Sequence, residues 1–150
     1  MNKYLFFSLL FSLFVLLAAQ PAVVDNSSPD PFPSPGYHIN VYYFHNTYRC
    51  VTCTNMEKYT REAIDTNFGQ ELAQGKLTFT AVNIDDEEYK HFVNDYKLET
   101  KQVIISQIEK GKEVRWKNLD KIWELVHSPE KFKEYIVTET RTFLDGLSKK

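Results

Sequence analysis

Both cysteines of this 150-residue chain stand in one short motif, Arg49-Cys50-Val51-Thr52-Cys53. A C-x-x-C pair can exchange a disulfide with another molecule, close a structural disulfide, or supply half of a zinc site. Zinc needs about four ligands, and no second C-x-x-C or close His pair supplies the rest. His45 precedes the motif and is expected to pack or hydrogen-bond beside it, while His38, His91 and His127 are scattered and expected to be ordinary surface or helix histidines. A structural disulfide across two residues closes a tiny loop and stabilises little. Exchange is the chemistry that the spacing serves best. With Cys50 at a helix N-terminus, free backbone N–H groups and the adjacent Arg49 cation favour thiolate over thiol. Cys53, one turn inside, is then close enough to attack a mixed disulfide formed at Cys50.

Such a motif needs a strand to deliver it and a helix to start on it. Ile39–Phe44 (INVYYF) is β-branched, aromatic and almost unbroken, as a strand covered on both faces should be. From Cys53 to Gln74, Met56, Tyr59, Ala63, Ile64, Phe68 and Leu72 recur at helical spacing, and Gly75-Lys76 ends the helix. Leu77–Ile84 (LTFTAVNI) is a second strand. Asp85-Asp86-Glu87-Glu88 then places negative charge at the start of a helix running to about Tyr96, with Tyr89, Phe92, Val93 and Tyr96 on one face. Gln102–Ile108 is a third strand, Glu109-Lys-Gly-Lys112 a hairpin-length turn, and Glu113–Lys117 a fourth strand. Leu119, Ile122, Trp123 and Val126 make an apolar helical stripe. Pro129 opens a last helix at a permitted first-turn position, with Phe132, Tyr135, Ile136, Phe143 and Leu144 continuing the stripe. No internal repeat is evident. The order β-α-β-α-β-β-α predicts an α/β domain over residues 37–150, with a central four-stranded mixed sheet flanked by helices.

The first 36 residues belong to something else. Tyr4 to Ala19 is apolar except for Ser8 and Ser12, Lys3 is the one base before it, and small residues follow. That is the pattern of a secretory signal peptide, expected over residues 1–20. Cleavage after Ala19 puts Leu17 at −3, an imperfect site, so retention as an N-terminal membrane anchor is the rival expectation. No Cys lies near, which rules out a lipoprotein anchor. Residues 21–36 form an extended Pro/Ser-rich linker, in which Asp25–Gly36 (DNSSPDPFPSPG) holds four of the six prolines. Net charge is −2, with 43% hydrophobic and 25% charged residues, which excludes a collagen-like scaffold and wholesale disorder and gives no electrostatic case for nucleic acid. Export would place the domain in the periplasm or facing outward from a membrane.

With these residues in hand, the chain resembles the thioredoxin-like superfamily over essentially all of residues 37–150. The strand INVYYF, the motif RCVTC and the element order after it carry the resemblance. It implies a thioredoxin-like fold, with Cys50 as the exposed attacking thiol and Cys53 as the resolving one. More narrowly, YYFHNTYRCVTC, HFVNDYKLETKQVII and WKNLDKIWELV resemble an exported thioredoxin-like family named as a nitrophenyl-arsenical nitroreductase subunit. Two departures stand out. Thioredoxins carry a cis-proline before the third strand, where this chain has Gln102 after Thr100-Lys101, and no proline occurs between Pro35 and Pro129. A cis bond there would cost about 2.5–4 kcal/mol, so a trans peptide is expected. The buried acid that thioredoxins place before the first Cys is also missing, with Phe44 near that place.

Three functions fit. The chain is an exported dithiol/disulfide protein meeting exported or membrane redox partners through a mixed disulfide at Cys50, a subunit of a reductase complex, or a binding module with a structural disulfide. Tyr48, Arg49, Lys101 and Gln102 are the candidate substrate-approach residues, and His45, Lys101 or water the candidates for proton handling. No Gly-rich dinucleotide fingerprint is present. Neither a cofactor nor a metal is expected.

Overall fold

The computed structural model describes residues 36–148. The signal-peptide, anchor and linker expectations for residues 1–35 lie outside the described residues. No helix among the described residues is long and apolar enough to cross a membrane.

Four strands form one sheet: β1 (Tyr37–His45), β2 (Leu77–Asn83), β3 (Gln102–Glu109) and β4 (Lys112–Asn118). The order is β2-β1-β3-β4, with β1 parallel to β2 and antiparallel to β3, and β3 antiparallel to β4. Being central, β1 must bury both faces, which is why it is apolar without alternation. The expected element order and mixed sheet are present, and this is the thioredoxin-like arrangement.

On one face, Ile39, Val41 and Tyr43 of β1 and Val103 and Ile105 of β3 pack in one cluster with Met56 and Ile64 of α1 (Val51–Asn67) and Phe132, Ile136 and Phe143 of α5 (Pro129–Ser148). A five-residue helix, α2 (Gly69–Ala73), follows α1. The single helix expected from Cys53 to Gln74 is therefore broken. Phe68 leaves helical geometry (φ −132°, ψ 28°) and buries its ring in the core, and Gly69, a poor helix former, opens the next helix directly after it. Gly75 (φ +65°) then makes the left-handed turn into β2.

The other face holds Phe44, Val82 and Ile104, packed with Tyr96 and Leu98. The long helix expected over residues 85–96 is replaced by a 3₁₀ turn at Glu87–Tyr89 and a five-residue α3 (His91–Asp95). Of the expected leading acids, Glu87 and Glu88 do fall in the first turn of that 3₁₀ segment. Asp85 and Asp86 accept hydrogen bonds from Asn46, Thr47 and Asn83 instead, and the backbone turns around them.

The β3–β4 hairpin closes through Lys110 (φ 53°) and Gly111 (φ 75°), the two positive-φ positions of a type I′ turn. A register shift between Gln107 and Ile108 leaves Val114 without a partner. The helical stretch expected around Leu119–Val126 shrinks to α4 (Ile122–Leu125). Leu119, Ile122 and Val126 are buried, whereas Trp123 stands off the stripe, 37% exposed, and donates its indole N–H to the Lys101 carbonyl at 3.0 Å. His38 corrects another expectation: it is a buried strand residue, not a surface one.

Candidate functional site

The site lies where β1 ends and α1 begins. Cys50 has extended geometry (φ −82°, ψ 163°) and caps α1, its Sγ accepting from the Cys53 backbone N–H at 3.1 Å. Its carbonyl receives the Thr54 N–H at 3.0 Å, the first turn of the helix. Cys50 and Cys53 form a disulfide, with Cα atoms 5.0 Å apart. Cys50 is half-buried and Cys53 only 2% exposed, so one sulfur faces outward and the other backs it. The first turn of α1 carries no acid, and nothing there offsets the positive end of the helix dipole at Cys50.

Tyr48 and Val51 flank the disulfide and are 82% and 79% exposed, an apolar rim on either side of the outer sulfur. Beneath, Tyr43 is fully buried and donates its hydroxyl to the Cys53 carbonyl at 2.7 Å. Burial pushes the Tyr43 phenol up to about 12, against the pull of the Arg49 guanidinium. It is therefore neutral at any ordinary pH and acts as a fixed donor.

Arg49 was expected to lend its charge to the Cys50 thiolate. It does not stand free to do so: its guanidinium is ion-paired with Glu57 of α1 and lies 5.9 Å from the Tyr43 ring centroid. Glu57 also holds Arg61 at 3.5 Å. Sequence reading missed both Tyr43 and Glu57. An aromatic in a buried strand carries no functional signal, but Glu57 had one, since positions 50, 53 and 57 share a face of a helix.

His45 stacks on Tyr43 with ring centroids 5.9 Å apart, and its Nδ1 faces the Asn46 carbonyl at 3.0 Å. It packs beside the motif, as expected, with that nitrogen already engaged. The loop between β1 and the motif is fixed from the side by Asp85, which accepts from Asn46 Nδ2 and from the Thr47 N–H, both at 2.8 Å. Those two bonds, with a smaller contribution from Lys101, hold the Asp85 carboxyl below its ordinary range.

Lys101 and Gln102 sit at the head of β3, where Gln102 pairs in register with Phe44. Every peptide bond among the described residues is trans, Lys101–Gln102 included. Gln102 keeps a buried Oε1 with no hydrogen-bond partner, while Lys101 offers its carbonyl to Trp123 and its charge to Asp85. The structure thus brings Cys50, Cys53, Arg49, Tyr48 and His45 together at one strand-to-helix junction. It seats Gln102 at the start of the neighbouring strand and Lys101 just before it, where Lys101 has a hydrogen bond and a charge partner of its own. Among the described residues, no group of three or more His, Cys, Asp or Glu is placed to hold a metal ion.

No protein-family model matches the chain, and no curated protein matches it. Solved structures similar to part of it include thioredoxin O2 from Arabidopsis thaliana in its oxidized state, at 13% identity and TM-score 0.38, covering 64% of this chain and 76% of that one. Malassezia sympodialis thioredoxin (Mala s 13) is similar at 17% identity and TM-score 0.38, covering 63% and 75%. Fasciola hepatica thioredoxin is similar at 20% identity and TM-score 0.34, covering 60% and 79%. The chain's own topology is what assigns its class: a β2-β1-β3-β4 mixed sheet, helices on both faces, and a Cys-Val-Thr-Cys disulfide capping the helix after the central strand make this a thioredoxin-like fold.

Proposed function

We propose that the protein is a thiol-disulfide exchange protein that cycles Cys50 and Cys53 with protein partners. The observation that carries this reading is the pairing of an outward Cys50 at a helix N-terminus with a buried Cys53 behind it. In the reducing direction, the Cys50 thiolate attacks a partner disulfide, a Cys50–partner bond forms, and one partner thiolate leaves and takes a proton. The Cys53 thiolate then attacks Cys50 Sγ, and the mixed disulfide breaks. The second partner thiol is released, and two electrons have passed to the partner as the Cys50–Cys53 bond forms. The oxidising direction is the same sequence reversed. Tyr48 and Val51 offer the partner an apolar approach, with Arg49, Lys101 and Gln102 as the polar groups around it.

Action outside the cytoplasm is part of the proposal, supported by the apolar stretch Tyr4–Ala19 behind Lys3. So is a relay role in a nitrophenyl-arsenical reductase complex, supported by the resemblance of the three segments quoted above. In that role a partner supplies the reducing chemistry on the substrate.

Two steps test the core of the reading. Equilibrating the protein across a series of dithiothreitol ratios, with alkylation and a gel shift as readout, should show one transition in which both thiols change together. The Cys53→Ser variant, unable to resolve, should accumulate mixed disulfides through Cys50 with a few exported proteins. A disulfide that stays closed across the range, or a variant that traps nothing in cells, would overturn it.

A further inference from the structure

We infer that Glu57 is a positioning residue for this dithiol: by holding Arg49 in an ion pair, it withholds the guanidinium from the Cys50 sulfur and so sets the reactivity of the thiol. The inference rests on the dithiol reading above and adds to it a residue that touches neither sulfur. Cys50, Cys53 and Glu57 lie at i, i+3 and i+7, one above another on the same face of α1. Arg49 immediately precedes the cap, and its side chain runs back along that face to the Glu57 carboxylate. The two side chains are only 29% and 19% exposed, so solvent screens the pair weakly.

Seen from the sulfur, the arrangement is a cancelled charge. The Arg49 cation would stabilise a thiolate and the Glu57 anion would oppose one. Paired, they largely offset each other, and the helix N-terminus is left as the main local influence on Cys50. Glu57 is also steadied from its far side by Arg61 at 3.5 Å, while Arg49 has a buried Nε with no hydrogen-bond partner. Besides its contact with Tyr43, Arg49 has the Glu57 carboxylate as its ionic partner.

The other charged or titratable groups facing this corner sit on β1 and the loops beside it. Tyr43 on β1 is neutral up to about 12 through burial. His45 on β1 has its Nδ1 at the Asn46 carbonyl, and Asp85 on the neighbouring loop is held by Asn46 and Thr47, with Lys101 beyond it. Tyr43 feels both the Arg49 and the Glu57 charge, but its phenol stays neutral across the pH range of the test.

The test is the pH profile of Cys50 alkylation in the reduced protein, which needs no partner. Glu57→Gln frees the guanidinium, and the half-point of the profile should move to lower pH, with an alkylation rate at pH 6 about tenfold higher. Arg49→Met leaves the carboxylate uncompensated, and the half-point should move up with a comparable fall in rate. The double variant should return close to the starting profile. Glu57→Asp, which keeps the charge, should behave as the unmodified protein, and circular dichroism confirms that each variant is folded. Both single variants break the same ion pair, so a merely structural role would move them in the same direction. Shifts of the same sign, or none, would overturn the inference. A disulfide that fails to titrate across the dithiothreitol series would instead defeat the exchange reading, whereas opposite shifts measured after full reduction with excess phosphine would leave this inference standing.

Discussion

The two faces of the sheet are built on different plans. One is covered by α1 and α5, helices of 17 and 20 residues, over an aliphatic floor of Ile39, Val41, Val103 and Ile105. The other is covered at one end by a 3₁₀ turn and the five-residue α3. There aromatic rings do the packing: Phe44, Phe92 and Tyr96 meet at centroid distances of 5.2 to 5.6 Å, and Trp116 closes edge-on to Tyr96 at 5.3 Å. Polar groups are also built in. Asn40 accepts from Thr78 and donates to the Tyr42 hydroxyl, and the Glu113 carboxylate receives both the Tyr96 and Ser106 hydroxyls. The motif sits over the aliphatic face. A long helix fixed along its whole length holds its first turn, and hence Cys50, more firmly than one-turn helices could.

The largest effect expected from this contrast is in stability. Phe132→Ala, at a fully buried ring under α5, should cost about 3–5 kcal/mol. Phe92→Ala, at a half-buried ring on the other face, should cost about 1–2 kcal/mol, because less apolar area leaves water there. Urea unfolding with an unchanged m-value measures both. Equal losses would break the comparison.

A second difference concerns the two buried hydroxyls. Burial raises Tyr43 to about 12, and burial with the Glu113 carboxylate raises Tyr96 as well. Unfolded tyrosines ionise near pH 10, so above that pH the unfolded chain releases protons that the native one retains. Stability should therefore fall as pH climbs from about 10 to 12. Tyr43→Phe and Tyr96→Phe should each make that decline shallower, and each should cost about 0.5–1.5 kcal/mol at neutral pH. Only Tyr43→Phe, which releases the Cys53 carbonyl, should also change the Cys50 alkylation rate. A change in that rate from Tyr96→Phe would show that the faces are not independent.

The smallest effect is at the rim. Lys110 holds a left-handed conformation beside Gly111, and Asn tolerates that geometry better. Lys110→Asn should raise stability by about 0.5 kcal/mol, with no change at either face. A lowered urea midpoint would mean that the turn depends on the lysine side chain.

Much of this plan was legible from residue order. The strands show because β1 must be apolar on both sides and because Lys110-Gly111 marks a hairpin, and α5 shows because Phe132, Ile136 and Phe143 keep helical spacing behind Pro129. The motif's place between strand and helix was equally plain. What escaped depends on contacts between distant residues. Asp85 and Asp86 look like helix-leading acids until the loop at Asn46–Thr47 comes within reach. Phe68 continues a helical stripe in every respect except that its ring is better buried out of line. Trp123 belongs to its stripe by spacing, yet it leaves to bond the Lys101 carbonyl, a partner 22 positions away. Arg49 beside Cys50 suggested an active cation, and only the fold of α1 reveals that Glu57 has claimed it.

The central position of β1 has a consequence for the order in which the protein assembles. The strand that leads to the motif is the first to be synthesised, yet both of its partners come later: Ile39–His45 pairs with Leu77–Asn83, and Tyr37–Phe44 with Gln102–Glu109. Until residue 109 has emerged, YHINVYYFH is an uncharged, aromatic, β-prone segment with at least one free edge. Its native pairings all close long loops, which slows folding relative to a helical protein of this size. Among the described residues, the nascent chain thus carries its first strand open until both partners are made, and Cys50 and Cys53, a few residues behind it, wait equally long for the sheet that seats them.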